Sequence, residues 1–246
     1  MKIIAIYCSK GGVGKTATSV NLAYTASLQG FSTLLCDLDP QGASSYYFRI
    51  RPKKKFNSTK LLNGKVSKYI RGTDFDDLDL LPAHFSHRNM DLMLDREQMS
   101  ARHLREVFAT EKDNYDLVLL DCPPNLTLLS ETIIESADMV ITPVIPTTLS
   151  ILSFEQLIKL FKKTGADKKK AHAFFSMAEK RKAMHLSVIS KYRKHKIFME
   201  TIIPYLAEIE KMGITRKPVG AATRNSTAAA AYGHLWKEIE KRGQLR

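Results

Sequence analysis

Residues 9–16 read Ser-Lys-Gly-Gly-Val-Gly-Lys-Thr and directly follow the apolar run Ile3-Ile4-Ala5-Ile6-Tyr7-Cys8. Three glycines, two lysines and a threonine at this spacing suit the binding of phosphate. A glycine-rich turn between a strand and a helix gathers backbone N–H groups into a nest at the positive end of the helix. Gly11, Gly12, Val13 and Gly14 would form that nest, with Ala17 one residue into the helix beyond it. Lys15 would reach the terminal phosphates, and the Thr16 hydroxyl would ligate a magnesium ion. The standard pattern has glycine where Ser9 stands and asks for no lysine at position 10. Lys10 is thus a second fixed positive charge in the same loop.

Two further segments carry carboxylates at the ends of apolar runs. They are Cys36-Asp37-Leu38-Asp39-Pro40-Gln41-Gly42 and Tyr115-Asp116-Leu117-Val118-Leu119-Leu120-Asp121-Cys122-Pro123-Pro124. With the loop at 9–16, they resemble the three boxes of the ParA/MinD family of deviant Walker A P-loop ATPases: K-G-G-x-G-K-T, D-x-D-P-Q and a Walker B strand ending in D-x-P-P. The closest likeness is to small, Soj-like ParA proteins without an N-terminal helix-turn-helix domain. It runs through nearly the whole chain, because Tyr232, Leu235, Glu238 and Ile239 are similar to the family's last helix.

The resemblance implies an ATP hydrolase with magnesium as its ion. Lys10 becomes the signature lysine that crosses a dimer interface to touch the partner's ATP. Lys10, Lys15 and Asp39 form the catalytic set, with Asp39 positioning the attacking water. Thr16 binds the magnesium ion directly, Asp121 holds it through water, and Asp37 supports it. Ile202-Ile203-Pro204 resembles a turn beside the adenine, which marks Pro204 and Tyr205. The chain departs from the family there, since Tyr205-Leu206-Ala207-Glu208 replaces the usual Arg-Asn and later glutamate. Glu179 likewise stands where an aspartate is usual.

The elements that must position these residues alternate. Lys2–Cys8, Ser32–Leu38, Leu78–Pro82, Leu117–Asp121, Met139–Val144, Ala171–Met177 and Lys196–Ile203 read as strands. Helices are expected over Lys15–Gln29, Ser100–Ala109 and Asn225–Lys241, and residues 42–77 are polar and basic, with Arg51-Pro52-Lys53-Lys54-Lys55 the expected exposed turn or flexible loop. Strands alternating with helices imply parallel β-α-β units in an α/β fold: a three-layer, doubly wound, mostly parallel sheet. Ligands of such sheets bind at the carboxyl ends of the strands, where all three boxes lie. The 246 residues suit one P-loop ATPase domain over 1–246. Trp236 and the Phe174–Phe175 pair read as core groups.

Charge is unevenly spread. Residues 1–150 carry 17 Lys/Arg against 17 Asp/Glu, and residues 151–246 carry 21 against 8, so the whole excess of +13 lies in the last part. Such asymmetry is the footprint of a polyanion partner. ParA relatives bind DNA without sequence preference through basic residues scattered over the C-terminal half, so the resemblance implies Lys191, Arg193, Lys194, Lys196, Arg216, Lys217 and Arg224 as the candidate contacts to nonspecific double-stranded DNA. The family likeness adds an ATP-dependent homodimer and a ParB-like or other adaptor that stimulates hydrolysis. The expected function is DNA-based positioning or segregation of a plasmid, a chromosome or a protein assembly.

A MinD-like ATPase acting at a membrane is the alternative. Against it, Glu238 and Glu240 beside the apolar residues of the last helix make a poor lipid anchor, so no membrane partner is expected. A metabolic amide ligase or iron–sulfur reductase on the same scaffold is a third class, and the reductase lacks paired cluster cysteines. Cys8, Cys36 and Cys122 cannot all pair. The expectation is a reduced, cytoplasmic and nucleoid-associated protein.

Overall fold

The computed structural model describes residues 1–223 and 225–245. Its strands are β1 (Lys2–Ile6), β2 (Thr33–Asp37), β3 (Arg71–Gly72), β4 (Leu78–Leu81), β5 (Leu117–Asp121), β6 (Met139–Val144), β7 (Ala171–Ala178) and β8 (Phe198–Pro204). They form one sheet in the order β3-β4-β2-β5-β1-β6-β7-β8. Every neighbouring pair is parallel except β3 with β4. The central strands are continuous apolar runs because both of their faces are covered.

The helices are α1 (Lys15–Leu28), α2 (Ala43–Tyr47), α3 (Ser58–Leu62), α4 (Met90–Arg96), α5 (His103–Ala109), α6 (Leu128–Ser136), α7 (Thr148–Thr164), α8 (Ala183–Tyr192), α9 (Ala207–Glu210), α10 (Met212–Thr215), α11 (Val219–Ala222) and α12 (Thr227–Gly243). Side-chain alternation along the strands sends Ile3, Ala5, Leu34, Cys36, Val118 and Leu120 to one face, against Leu94, Phe108, Ile133 and Phe161 of α4, α5, α6 and α7. Ile4, Ile6, Leu35 and Leu119 face the other way, against Val20, Leu22, Leu235 and Trp236 of α1 and α12. A third cluster packs Phe175 and Phe198 with Ile151 and Phe154 under the β7–β8 end of the sheet. Trp236 is buried edge-on to Phe31, and Phe174 and Phe175 fill opposite faces. All three are the core groups expected.

The expected three-layer α/β architecture is present. Two elements coincide with the sequence reading, β5 and β6, and most others shift by one to three residues at an end. Residues 42–77 are the exception: the expected turn at 51–55 lies outside every helix and strand, but α2, α3 and β3, which the sequence did not suggest, lie on either side of it. These pieces are too short to show a helical or strand period. They are held by burial instead: Phe56 packs on Tyr69 with ring centroids 5.0 Å apart.

The edge strand β8 is closed by side chains of α12. The Glu238 carboxylate accepts the N–H groups of Glu200 and Thr201 at 3.0 and 3.1 Å. Arg242 donates to the carbonyls of Lys196 and Phe198 at 2.9 and 3.0 Å and pairs with Glu238 at 2.8 Å. Burial alone would raise the Glu238 carboxyl, but the N–H donors and Arg242 outweigh it and hold the group below its ordinary range.

Candidate functional site

Strand register brings the three boxes together. Asp121 pairs level with Ile6 on one side and with Asp37 on the other. The loop that leaves β1 therefore stands beside both strand-end carboxylates.

Backbone geometry makes that loop concave. Gly12 and Gly14 take left-handed φ angles of +71° and +90°, and Gly14 is the N-cap of α1. The first turn of α1 holds no acidic residue, so the positive end of a 14-residue helix faces the nest uncompensated. Gly11 and Gly12 are exposed, Val13 is buried, and Thr16 and Ala17 are half-buried at the helix start. A Cβ on Gly14 would stand 3.2 Å from Ser176 Oγ. The next residue, Met177, is itself left-handed at φ +53°, where β7 loses register with β8. That bulge sets Ser176 against the loop.

Both lysines of the loop are engaged within the chain. Lys15 is buried, and its Nζ donates to the Lys10 carbonyl at 3.1 Å. The Lys10 Nζ donates to Ser150 Oγ in the first turn of α7 at 3.0 Å.

The carboxylates beneath the loop are held by serines. Asp121 accepts from Ser19 Oγ at 3.0 Å and Ser44 Oγ at 2.7 Å. Asp37 accepts both the N–H and the hydroxyl of Ser45, at 2.8 and 2.7 Å, through one oxygen. Its other oxygen, Oδ1, is buried with no hydrogen-bond partner among the described residues. Burial pushes both carboxyls above the usual carboxylate range, and the Asp121 charge adds to the rise at Asp37. Asp39 is half-buried in the following turn, where its Oδ1 accepts the Gln41 N–H at 2.9 Å.

This donor set fits a magnesium ion. Two buried carboxyls with raised pKa values and an orphan oxygen call for a cation, and hydroxyl and carboxylate oxygens are the ligands a hard divalent ion takes. Among the described residues no group of three His, Cys, Asp or Glu side chains forms a metal cage by itself. The shell would have to be completed by phosphate and water, as magnesium prefers.

Pro204 and Tyr205 lie farther out. Pro204 closes edge strand β8 level with Ala178 and lines a separate cleft of about 830 Å³ with Ile189, Ile202 and Ala231. Tyr205 is exposed, its N–H donating to the Ala178 carbonyl at 3.0 Å and its hydroxyl bonding Glu210.

The basic candidates divide. Lys191, Arg193, Lys194 and Lys196 are exposed where α8 returns to β8, at the amino edge of the strands, opposite the loop. Arg216 and Lys217 lie elsewhere, after α10, so the described candidates do not share one face of the protomer. Lys217 is exposed, but Arg216 is occupied. Its Nε donates to the Tyr46 carbonyl at 2.9 Å, and its guanidinium lies 4.3 Å from the centre of the Tyr46 ring. Arg49 donates to the Thr215 carbonyl at 3.0 Å, and Tyr46 Oη to the Gly213 carbonyl at 3.2 Å. Arg216 thus fastens α10 to α2. Arg224 lies outside the described residues.

Sequence reasoning missed Ser19, Ser44, Ser45, Ser150 and Ser176. Ser44 and Ser45 follow the second box directly and Ser19 lies one helical turn into α1, so proximity to the boxes could have flagged those three. Ser150 and Ser176 are brought in by β6–α7 and β7 and carry no local signal.

A glycine nest at a helix start, a buried lysine and strand-end carboxylates on a parallel sheet define a P-loop nucleoside triphosphatase. Residues 1–173 match the family described as AAA domain. The chain belongs to this family and is a ParA/MinD-type, Soj-like P-loop ATPase. It is 28% identical to the chromosome-partitioning ATPase Soj of Treponema pallidum, over 100% of this chain and 99% of the relative. Among solved structures, a putative plasmid partition protein from Borrelia burgdorferi bound to AMPPNP superposes with a TM-score of 0.83 at 21% identity, covering 98% of each chain. Cobyrinic acid a,c-diamide synthase from Mycobacterium smegmatis, with bound ATP analog and magnesium, reaches 0.81 at 22% identity, covering 99% of this chain and 96% of the other. At these identities the structural likeness speaks for the fold.

Proposed function

We propose that this chain is a partitioning ATPase that dimerises on ATP, binds DNA without sequence preference and positions a cargo, with an adaptor protein stimulating hydrolysis. The observation that carries this reading is the doubled lysine of the loop. Lys15 is buried and turns back to the Lys10 carbonyl within the loop, whereas the Lys10 ammonium reaches out of the loop to Ser150 at the start of α7. A cation placed there serves a second nucleotide better than its own.

Support for a dimer comes from the surface around it. Leu126 and Leu128 at the start of α6, and Leu149 and Leu152 at the start of α7, are all exposed at the loop's edge of the sheet. Apolar groups concentrated beside a charged site suit an interface better than solvent.

In the reaction, the backbone N–H groups of residues 11–15 and the Lys15 ammonium bind and orient the phosphates of ATP. Thr16 and the Asp37–Asp121 pair would hold magnesium, which when bound neutralises charge on the β- and γ-phosphate oxygens. Asp39, on the turn beside the loop, orients the attacking water. Lys10 of the second protomer adds positive charge where the transition state needs it.

The partner reading rests on the basic last part of the chain and on the partition proteins it resembles. Phosphate contacts of this kind give steep salt dependence and little sequence preference. The test is ATP turnover by the purified protein with magnesium, with and without DNA, together with sedimentation in ATP and ADP. ATP-dependent dimers, DNA binding only in ATP and loss of dimers in Lys10→Gln are the expected results. No affinity for adenine nucleotides with magnesium would overturn the ATPase reading. ATP binding with neither dimers nor DNA binding would overturn the partitioning part alone.

A further inference from the structure

We propose that Ser150 is a positioning residue that parks Lys10 on its own protomer until a second copy takes the lysine up. The proposal rests on the reading of Lys10 as the residue that crosses to the partner's nucleotide. The Lys10 ammonium donates to Ser150 Oγ at 3.0 Å, and Thr147 Oγ1 donates to the same oxygen at 3.1 Å. Thr147 is the N-cap of α7, and its carbonyl accepts the N–H groups of Ser150 and Ile151, both at 3.1 Å. The acceptor is therefore fixed by the first turn of α7 and by the Thr147 hydroxyl. Ser150 is 2% exposed, while Leu149 and Leu152 on either side are 67% and 48% exposed. The hydroxyl faces inward to the loop from beneath a surface that a partner could cover.

The parking place is poor for a cation in every other respect. Among the described residues Lys10 has no ion-pair partner. Ser150 lies in the first turn of a 17-residue helix, whose positive end disfavours an ammonium group. A neutral hydroxyl holds an ammonium less firmly than a carboxylate would. Ser150 is thus a weak hold, sufficient to orient Lys10 and readily exchanged for a phosphate. While Lys10 is parked, the fraction of protomers competent to dimerise is reduced, and because both protomers must release their lysine the apparent dimer affinity falls by the square of that fraction.

The test is sedimentation of the full chain over a range of protein concentrations with magnesium and ATP, for wild type, Ser150→Ala, Ser150→Asp, Lys10→Gln and the Lys10→Gln/Ser150→Ala double variant. Thermal melts of each confirm folding, and a fluorescent ATP analogue reports nucleotide affinity. Ser150→Ala is expected to dimerise at a concentration lower by about tenfold or more, because forming each wild-type dimer breaks two such hydrogen bonds, one per protomer. Nucleotide affinity of the monomer is expected to stay unchanged. Ser150→Asp, which ion-pairs Lys10 in place, is expected to need more protein than wild type. In the Lys10→Gln background the Ser150→Ala change is expected to have no effect.

If Ser150→Ala and Ser150→Asp both dimerise at the wild-type concentration while Lys10→Gln does not, the parking role is wrong and the crossing role of Lys10 stands. An equal shift from Ser150→Ala in the Lys10→Gln background would place the effect in α7 and likewise overturn the proposal. Wild-type dimerisation by Lys10→Gln would remove the reading beneath it.

Discussion

Ser176 Oγ stands 3.2 Å from the point that a Cβ on Gly14 would occupy, and Gly14 itself has φ +90°. Gly14→Ala thus meets two obstacles, a left-handed backbone that costs an L-residue about 1–2 kcal/mol and a crowded neighbour. Its melting temperature is expected to fall, and its affinity for a fluorescent ATP analogue to drop by about tenfold or more, the equivalent of roughly 1.4 kcal/mol. Adding Ser176→Gly should restore part of the stability. Gly11→Ala is the control: its Cβ would meet nothing within 4 Å and its φ is not left-handed. It should melt like wild type.

His87 sets a pH dependence. Its ring is buried edge-on to Phe56 with centroids 5.9 Å apart. Burial, helped by His84, lowers its pKa from 6.5 to about 4. The unfolded chain takes up this proton as pH falls through 6.5, and the folded chain resists until about 4. Across that window the unfolded state binds more protons, so stability falls with falling pH. His87→Leu should flatten this acid slope, by up to about 3 kcal/mol between pH 7 and pH 4. Urea denaturation at several pH values measures it, and parallel slopes for the two proteins would refute it.

The exposed group Lys191, Arg193, Lys194 and Lys196 and the engaged Arg216 should separate on mutation. Glutamine at the first four is expected to leave the melting temperature unchanged. It should lower the slope of log affinity for random DNA against log salt by about 0.9 for each phosphate no longer neutralised. Arg216→Ala should instead lower the melting temperature, because it frees α10 from Tyr46. Filter binding across a salt series, beside thermal melts, distinguishes the two behaviours.

Glu238 is expected to matter more than a surface ion pair. Glu238→Gln keeps one carbonyl oxygen for two N–H groups, Glu200 and Thr201, that bond to different carboxylate oxygens, sets an amide NH2 against the other N–H, and loses the ion pair to Arg242. A loss of about 1–2 kcal/mol follows. Glu238→Ala, which leaves both N–H groups open on an edge strand, should cost more and promote association of the chain. Chemical denaturation and light scattering report the two effects.

The sequence was most informative where chemistry and element coincide. The buried strands were visible as unbroken apolar runs, and each box lies where a run stops, so the convergence of Lys15, Asp37 and Asp121 was legible from the residues alone. The register that levels Asp37 with Asp121 was not written in either strand. Serine partners were illegible for a related reason, since a serine is compatible with helix, strand and turn alike. Ser150 acquires a role only when β6 delivers α7 beside the loop. Arg216 looked like a free cation because nothing local shows Tyr46, 170 positions away in the chain, lying under it. The short helices between residues 42 and 77 have too few turns to display a period.

The mooring between α2 and α10 bears on how the state of the bound nucleotide could be felt at a distance. α2 begins four residues after Asp39, and three bonds from Tyr46, Arg49 and Arg216 lash it to the stretch 213–216. The turn bearing Asp39 is therefore no loose flap. Any displacement there drags a segment from the far end of the chain, and any ligand gripping that segment pulls back on the turn, as reciprocity between linked sites demands.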